Sequence, residues 1–466
     1  MSTLLIQGGL LVDTEWTRHA DILIDGPKIV HVANKISEDS LPPGTEIISA
    51  EGLCVLPGLI DSHTHYHLVS RGTVTADSFA EGSELAAFGG VTTVIDFADD
   101  DKKGNLKACT KARIKEMQSG MAIDYTLHQG VYSYRPGIEK ELKELKASGV
   151  RTIKLFTTYK NVGYLIEKRE ELTELFKECK KLDMMVCVHC EDDALVTKIN
   201  DEWKGTYTPA DHAEMRPAEV EAKGIETVAS IAKEQNMRLY VVHLSSKAGL
   251  QVVRKYREMG TDIVVETTPH YLFLDKTKLK GKDGSLYVMT PPLRTHEDNL
   301  ALQEALINGE IQVVATDHCS FTRDQKLESN DCRSILPGIP GTEEMFALLH
   351  TFAYEHGVLG ISQLVNLMST GPAKIFGLYP QKGSLQVGSD ADIVLYDPDE
   401  TWELTEKELH SASGYTPYEG HQVTGRVKST YLRGRLVMSE DVYLGIPGDG
   451  LFVPQDKKHL DEIYWQ

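Results

Sequence analysis

The feature that most constrains the fold of this chain is the alternation, through its middle, of apolar β-branched segments with amphipathic helical segments. Helical stretches such as residues 166–182 and 220–236 have apolar residues near helical spacing. Strands that alternate with helices form βαβ units and a parallel sheet. The candidate strands are residues 54–60, 91–97, 124–131, 152–156, 184–188, 238–242, 262–267 and 312–315. Eight such strands predict an α/β fold, a (β/α)8 TIM-like barrel.

Both ends of the chain follow a different pattern, that of short strands joined by tight turns. Near the start these strands are residues 4–7, 11–13, 21–24 and 29–33, and near the end they are residues 383–396 and 427–437. We therefore predict that residues 53–377 form the barrel. Residues 1–52 and 378–440 would pair into a small β-sandwich domain. Residues 441–466 would form a C-terminal tail that packs either on a neighbouring subunit or on its own barrel.

Charge and composition exclude several classes of protein. The 49 Lys and Arg against 69 Asp and Glu give a formal net charge of −20, so we expect no basic face for nucleic acid. No stretch approaches the roughly 18 apolar residues of a membrane helix, and the N-terminus does not resemble a secretory signal. We predict a cytoplasmic protein without a membrane partner. Its seven scattered cysteines indicate reduced thiols rather than a disulfide framework.

Polar residues lie where the predicted strands end, and this is where barrel enzymes carry their chemistry. His63 and His65 follow the first strand. Because side chains alternate along an extended segment, both imidazoles point to one side and can bind one ion. Further polar residues are Lys154 inside the fourth strand, His189 and His243 at the ends of the fifth and sixth, and Asp317 at the end of the eighth.

Each of these residues has an ordinary explanation when it is taken alone. A histidine after a strand is often a loop residue, Lys154 could pair with a buried carboxylate, and Asp317 could cap the next helix. Four histidines, a lysine and an aspartate at the strand ends of one barrel are much harder to explain separately. Together they predict a metal site whose N and O ligands suit Zn²⁺, and also Mn²⁺, Fe²⁺ or Ni²⁺.

At these residues the chain resembles the metal-dependent amidohydrolase superfamily, and within it the dihydropyrimidinases and D-hydantoinases. The resemblance covers nearly the whole chain. Its most specific segments are Pro57-Gly-Leu-Ile-Asp-Ser-His-Thr-His65, Lys154-Leu-Phe-Thr-Thr-Tyr159, Val188-His-Cys-Glu191, Val242-His-Leu-Ser245, Glu266-Thr-Thr-Pro-His-Tyr271, Thr290-Pro-Pro-Leu-Arg294, Ala315-Thr-Asp-His-Cys319 and Gly388-Ser-Asp-Ala-Asp-Ile393.

The resemblance implies a binuclear site, usually of zinc. One ion would be held by His63, His65 and Asp317, and the other by His189 and His243. Lys154 would be N6-carboxylated, so that its carbamate bridges both ions. The same resemblance implies a homotetramer or homodimer.

The resemblance also implies a reaction on a small cyclic ureide. A metal-bridging hydroxide would attack the ring amide of a hydantoin or dihydropyrimidine and release an N-carbamoyl amino acid or β-amino acid. Asp317 would accept the proton and return it to the leaving nitrogen. Tyr159 would hydrogen-bond the developing oxyanion. Thr290 would bind the ring, largely through its main chain.

Two positions depart from the patterns of these enzymes. Dihydroorotases carry an Arg two residues after the second His of H-x-H to bind the substrate carboxylate; here that residue is His67, so a carboxylate on the ring is disfavoured. At the substrate-contacting Asn of hydantoinases this chain has Pro337, which has no N–H to donate to the ring. An allantoinase-like or cyclic-imide hydrolase therefore remains an alternative.

A third alternative is a non-catalytic interaction protein of the same fold, which would have lost metal ligands. All six ligand positions are present here, which disfavours it. Two further expectations concern the surroundings of the site. Residues 62–76 and 160–167 are predicted lids, and His318 is expected to point away from the metals because neighbours on a strand face opposite sides.

Overall fold

The computed structural model describes residues 3–14 and 16–455. The strands in these residues are β1 (Thr3–Gln7), β2 (Leu10–Val12), β3 (Thr17–His19), β4 (Asp21–Asp25), β5 (Lys28–Ala33), β6 (Glu46–Ser49), β7 (Cys54–Pro57), β8 (Leu59–Asp61), β9 (Val69–Ser70), β10 (Thr73–Val74), β11 (Val91–Ala98), β12 (Asp124–Gly130), β13 (Thr152–Phe156), β14 (Met185–His189), β15 (Leu239–Val241), β16 (Ile263–Thr267), β17 (Val313–Val314), β18 (Ile393–Leu404), β19 (His421–Leu432), β20 (Arg435–Ser439) and β21 (Val442–Tyr443).

The α-helices in the same residues are α1 (Phe79–Phe88), α2 (Leu106–Gln118), α3 (Ile138–Ala147), α4 (Arg169–Lys181), α5 (Asp193–Glu202), α6 (Asp211–Met215), α7 (Ala218–Gln235), α8 (Lys247–Glu258), α9 (Pro269–Phe273), α10 (His296–Ile307), α11 (Arg323–Leu327), α12 (Met345–His356), α13 (Ile361–Val365) and α14 (Gly371–Ile375). Within the described part of the chain, no helix combines the length and the apolar character that crossing a membrane requires.

A parallel sheet of eight strands forms the centre of the described structure. Its spatial order is the chain order, from β8 through β11 to β17. The two outermost strands meet where Thr64 bridges His318 and the N–H of His65 donates to the His318 carbonyl at 2.8 Å. Side chains on both faces of these strands are buried, as expected when helices cover a parallel sheet. The predicted barrel is confirmed.

The helices cover the barrel through apolar stripes that the sequence predicts. α4 buries Leu172, Leu175, Phe176 and Cys179, positions that recur at helical spacing, while its Lys and Glu residues lie mostly on the other face. α7 ends at Gln235 and is capped by Asn236, which has a left-handed φ of 46°. Asparagine tolerates this conformation at a helix end.

Strands from both chain ends form two sheets that pack face to face. One sheet has the order β5-β4-β1-β6, and the other has the order β21-β20-β19-β18-β7-β2-β3. Ile6 and Ile22 of the first sheet share one apolar core with Val55 and Ile393 of the second. The predicted sandwich built from both termini is confirmed.

The prediction of one continuous barrel strand over residues 54–60 is wrong, because the chain divides there. β7 pairs with β2 and β18 in the sandwich, whereas β8 pairs with β11 in the barrel. Gly58 lies at the junction, and a Cβ there would come within 2.1 Å of the Thr92 hydroxyl. Both halves of the segment are buried, so apolar character alone could not reveal the division.

The described part of the predicted tail contacts its own chain: β21 extends the sandwich sheet next to β20, and residues 448–455 contact the barrel. Val453 N–H donates to the Tyr125 carbonyl at 2.8 Å near the start of β12, and the Gln455 side chain bonds to the start of β13. This is the amino-terminal end of the barrel, opposite to the end where barrel enzymes carry their chemistry, so these contacts serve stability rather than catalysis. Residues 456–466 lie outside the described residues, so a subunit contact there stays a prediction.

A buried charge cluster joins the sandwich to the barrel. Lys382 is 2% exposed, and its Nζ lies 2.5 Å from Asp124, 3.0 Å from Asp390 and 2.7 Å from Asp392. Arg433 also pairs with Asp124, which begins β12. Removing one member of such a cluster leaves buried charge without compensation.

We expect Lys382→Met to lower the free energy of unfolding by about 3–5 kcal/mol, because three carboxylates would lose their shared cation. Lys28 offers a matched control, since it pairs with the same Asp390 at 2.8 Å but its side chain is 44% exposed. Lys28→Met should cost about 0–1 kcal/mol. Urea unfolding curves of the two variants would measure the difference. Equal losses of unfolding free energy in the two variants would contradict the role of burial in the contribution of Lys382.

Candidate active site

The six predicted ligands meet at the carboxyl end of the barrel, where they line a cavity of about 290 Å³. His63 Nε2 and His65 Nε2 lie 3.2 and 3.1 Å from Asp317 Oδ1. The ring centroid of His243 lies 5.4 Å from that of His63 and 4.6 Å from that of His189. Ligand atoms of His63, His243 and Asp317 all lie within 4.8 Å of one another, a spacing compatible with shared coordination.

Three residues that follow barrel strands and line this cavity have a backbone conformation that side chains other than glycine rarely adopt. The φ angles are 37° for His243, 51° for Asp317 and 67° for Tyr159. Each such residue costs on the order of 1–3 kcal/mol, and such residues concentrate at functional sites. The chain therefore bears local strain at the points where it leaves the strands and enters the site.

Lys154 is a buried lysine with little to compensate its charge. It is 2% exposed, and its Nζ lies 5.3 and 5.4 Å from the ring centroids of Phe97 and Phe156. Among the described residues, no carboxylate oxygen comes within 4.0 Å of this nitrogen. Burial lowers the pKa of Lys154, against the attraction of Glu266 and Asp317. A larger fraction of Lys154 is accordingly in the neutral amine form than for an ordinary lysine.

Glu266 orients two of the ligands, a role that the sequence alone did not reveal. Its Oε1 lies 2.7 Å from His63 Nδ1 and accepts from the His243 N–H at 3.0 Å, while Oε2 accepts from Tyr240 Oη at 2.7 Å. A carboxylate on one ring nitrogen sets the tautomer and leaves the other nitrogen to bind an ion. The sequence signal for this role was the position of Glu266, a carboxylate inside the apolar segment 262–267.

Glu191 acts in the same way on the other side of the site. It lies 2.8 Å from His189 Nε2 and 2.5 Å from an Arg216 nitrogen. Burial would raise the pKa of Glu191, but Arg216 and His189 outweigh it and lower the pKa to about 2. The carboxylate therefore stays ionised, and His189 Nδ1 is the ring nitrogen left for an ion.

The donor set fits a divalent metal. Burial lowers the pKa of His189 and of His243, so both imidazoles are neutral and keep a lone pair. Burial would raise the pKa of Asp317, but the imidazoles, first that of His63, hold it well below its usual range. In the described structure His243 Nδ1 is buried without a hydrogen-bond partner. Neutral imidazoles beside an ionised carboxylate are what such an ion requires.

The predicted substrate-binding residues Tyr159, Thr290 and Pro337 line the same cavity. Burial raises the pKa of Tyr159 well above its usual range, against the positive charge of Arg216. The phenol is therefore a protonated hydrogen-bond donor at neutral pH. Residues from both predicted lids also line the cavity, namely Leu68, Val69, Ser70, Arg71, Val162 and Tyr164. Asp99, Tyr132 and Cys319, which the sequence did not single out, line it as well.

Two further histidines that are close to the ligands in sequence, His67 and His318, lie outside the cavity lining. His318 Nε2 lies 2.9 Å from Asp77 and the side chain is fully buried, so it points away from the ligands as predicted. The His67 N–H donates to the Asp77 carbonyl at 2.9 Å. Neither residue is placed to bind an ion with the other ligands.

Lys326, a fully buried lysine that the sequence analysis did not identify, connects the segments that carry Thr290 and Pro337. Burial lowers its pKa to about 7. Its Nζ donates to three main-chain carbonyls, those of Val288 at 2.6 Å, Leu336 at 2.9 Å and Gly338 at 2.9 Å. One side chain therefore sets the spacing between two segments that line the cavity.

The fold and the ligand set together define the class of barrel hydrolases with a divalent metal site. A model of the amidohydrolase family matches residues 54–437. The D-hydantoinase of Ralstonia pickettii is 35% identical over 461 residues, with 97% of this chain and 99% of that protein covered. The D-hydantoinase of Rhizobium radiobacter is 34% identical, with 96% and 98% covered. The chain belongs to the amidohydrolase family.

Solved structures agree with this assignment. The dihydropyrimidinase from Brevibacillus agri superimposes with a TM-score of 0.93 at 34% identity, covering 97% of this chain and 98% of that one. The L-hydantoinase from Arthrobacter aurescens superimposes with a TM-score of 0.87 at 27% identity, covering 97% and 100%. The backbone is thus similar to those of enzymes named D-hydantoinase and L-hydantoinase.

We expect Lys326→Met to raise KM for the substrate by about tenfold while metal content stays unchanged. Three carbonyls would lose their shared donor, and the segments that carry Thr290 and Pro337 would lose their spacing. Steady-state kinetics with metal analysis of the same samples would measure this. The exposed Lys282 on a nearby loop serves as the control, and Lys282→Met should behave as the wild type. Loss of metal in proportion to activity would contradict a role confined to substrate binding.

Proposed function

We propose that this chain is a cyclic amidohydrolase that opens the ring amide of hydantoins or dihydropyrimidines and releases N-carbamoyl amino acids or β-amino acids. The observation that carries the proposal is the convergence of four histidines, Lys154 and Asp317 on one cavity at the carboxyl end of the barrel. The named relatives support this substrate class and do not favour allantoin or a cyclic imide. A complete ligand set argues against a non-catalytic interaction protein.

The metal centre that we propose contains two divalent ions per chain, with zinc as the first candidate and Mn²⁺, Fe²⁺ and Ni²⁺ as alternatives. His63, His65 and Asp317 would hold one ion, and His189 and His243 the other. Lys154 supports this arrangement because its pKa is lowered. A neutral amine adds to CO₂ and becomes a carbamate, an anion suited to bridge two cations. When bound, the ions activate water and polarise the scissile carbonyl.

The chain's own residues would carry the proton and the charge. Asp317 is ionised because its pKa is low, so it would accept a proton from the nucleophile and pass it to the ring nitrogen as that bond breaks. Tyr159 would donate to the oxyanion that forms on the carbonyl. Thr290 and Pro337 would bind the ring through their main chains, and Pro337 offers only its carbonyl.

The proposal predicts that metal-replete protein opens dihydrouracil, hydantoin and phenylhydantoin faster than allantoin, dihydroorotate or a cyclic imide. Ring opening followed by chromatography of the N-carbamoyl products would measure the rates, and mass spectrometry would count the metals. A full metal complement without turnover of any of these compounds would keep the hydrolase class and reject the substrate class.

Two substitutions separate metal binding from proton transfer. Asp317→Asn should lower kcat by at least about a hundredfold, since it removes the general base, whereas Asp324→Asn on an exposed position should not. Full turnover by the Asp317 variant with metals bound would contradict the assigned role.

Lys154→Ala should lose metal, and a short added carboxylic acid should restore part of it. Unchanged metal content in this variant would contradict the bridging carbamate.

The oligomeric state, a homotetramer or homodimer, and the cytoplasmic location stay predictions. Both came from the sequence and its resemblance, and neither enters the reaction proposed here. The contacts described for residues 441–455 are with the same chain, with the sandwich through β21 and with the barrel through residues 448–455.

A further inference from the structure

A second polar space of about 160 Å³ lies beside the catalytic cavity, and we call it the annex. The annex and the cavity share Arg71 and Pro337 in their linings, so they meet at these two residues. The annex is also lined by Arg216, Arg333, Asn161 and Asn200. No carboxylate is among its described lining residues, in a chain whose formal net charge is −20.

The three arginines differ in how far their charge is already compensated. Arg216 lies 2.5 Å from Glu191, and Arg333 lies 2.5 Å from Asp331. For Arg71, no described carboxylate lies within 4.0 Å of the guanidinium. Arg71 is therefore the cation whose charge is available to a ligand at the junction of the two spaces.

The backbone holds Arg71 at this junction. Arg71 and Gly72 form the two-residue turn between β9 and β10, with φ angles of 50° and 81°, as a tight hairpin turn requires. The base of the hairpin is anchored where the Leu68 N–H donates to Thr75 Oγ1 at 2.8 Å. Thr73 accepts from the Gln325 side chain at 2.8 Å, which ties the hairpin to α11.

We propose that the substrates of this enzyme carry an anionic group, a carboxylate above all, on a side chain of the ring, and that the annex binds this group with Arg71 as its principal charge. The inference rests on the proposed function. A ring held beside Pro337 lies next to the residue that both spaces share, so a substituent leaving the ring on that side enters the annex. Guanidinium groups bind carboxylates through paired, charge-assisted hydrogen bonds.

This recognition differs from that of a ring that bears its carboxylate directly. The position that would serve such a ring is His67, which lies outside the cavity lining. Asp99 does line the catalytic cavity, but it accepts a hydrogen bond from Tyr132 and is absent from the lining of the annex. An acidic side chain can therefore reach Arg71 without facing that carboxylate in the annex.

The test compares hydantoin-5-propionate with the propionamide of the same size and with unsubstituted hydantoin. For the wild type we expect kcat/KM for the acid to exceed that for the amide by about tenfold, the effect of one charge-assisted pair at a partly exposed site. Arg71→Gln should abolish this preference, chiefly by raising KM for the acid. Arg18→Gln, on the exposed strand β3, is the matched control and should keep the preference.

The outcomes separate this inference from the proposed function. Equal rates for acid and amide in the wild type, with hydantoin opened, would overturn the annex and leave the function intact. An Arg71→Gln enzyme that keeps the preference would overturn the assignment to Arg71, and one that loses hydantoin turnover would overturn a role confined to the substituent. Failure of a metal-replete enzyme to open any of the three compounds, with dihydrouracil also left unopened, would refute the proposed function itself.

Discussion

Closure of the parallel barrel is the constraint on which the site depends. His65 and Asp317 are 252 positions apart in the sequence, yet their side chains lie 3.1 Å apart because the first and last barrel strands meet. Parallel strands end at a common rim, so one short polar segment after each strand delivers its side chain to the same place. Buried carboxylates then hold the imidazoles: Glu266 bonds His63, and Glu191 bonds His189.

Three fully buried lysines show how differently one charge can be accommodated. Lys382 has three carboxylates around it, and it links the sandwich to the barrel. Lys326 has only main-chain carbonyls around its Nζ. They accept its hydrogen bonds but carry no full negative charge to balance an ammonium. Lys154 has neither kind of partner. The free-energy cost of burying its charge would be removed by carboxylation of the amine. The lysine with the least compensation is thus the one at the centre of the site.

Reaction and selectivity depend on different parts of the molecule. The inner residues come from strand ends, whose positions the barrel determines, and the backbone is similar in enzymes named D-hydantoinase and L-hydantoinase. The outer wall comes from the hairpin that carries Arg71 and from the loop that carries Pro337, two segments that can vary without disturbing the strands. Fold and chemistry are therefore shared with the family, while choice of substituent belongs to the loops.

By itself the sequence determined the barrel, the sandwich and the positions of the six predicted ligands, because periodicity and strand-end residues are local properties that can be read along the chain. Only the tertiary structure decided that residues 54–60 divide between two sheets, that Glu266 orients His63, and that Lys326 spaces two segments that line the cavity. It alone also brought Arg71 and Pro337 to one junction. These features depend on contacts between residues far apart in the sequence, and such contacts exist only once the barrel has closed.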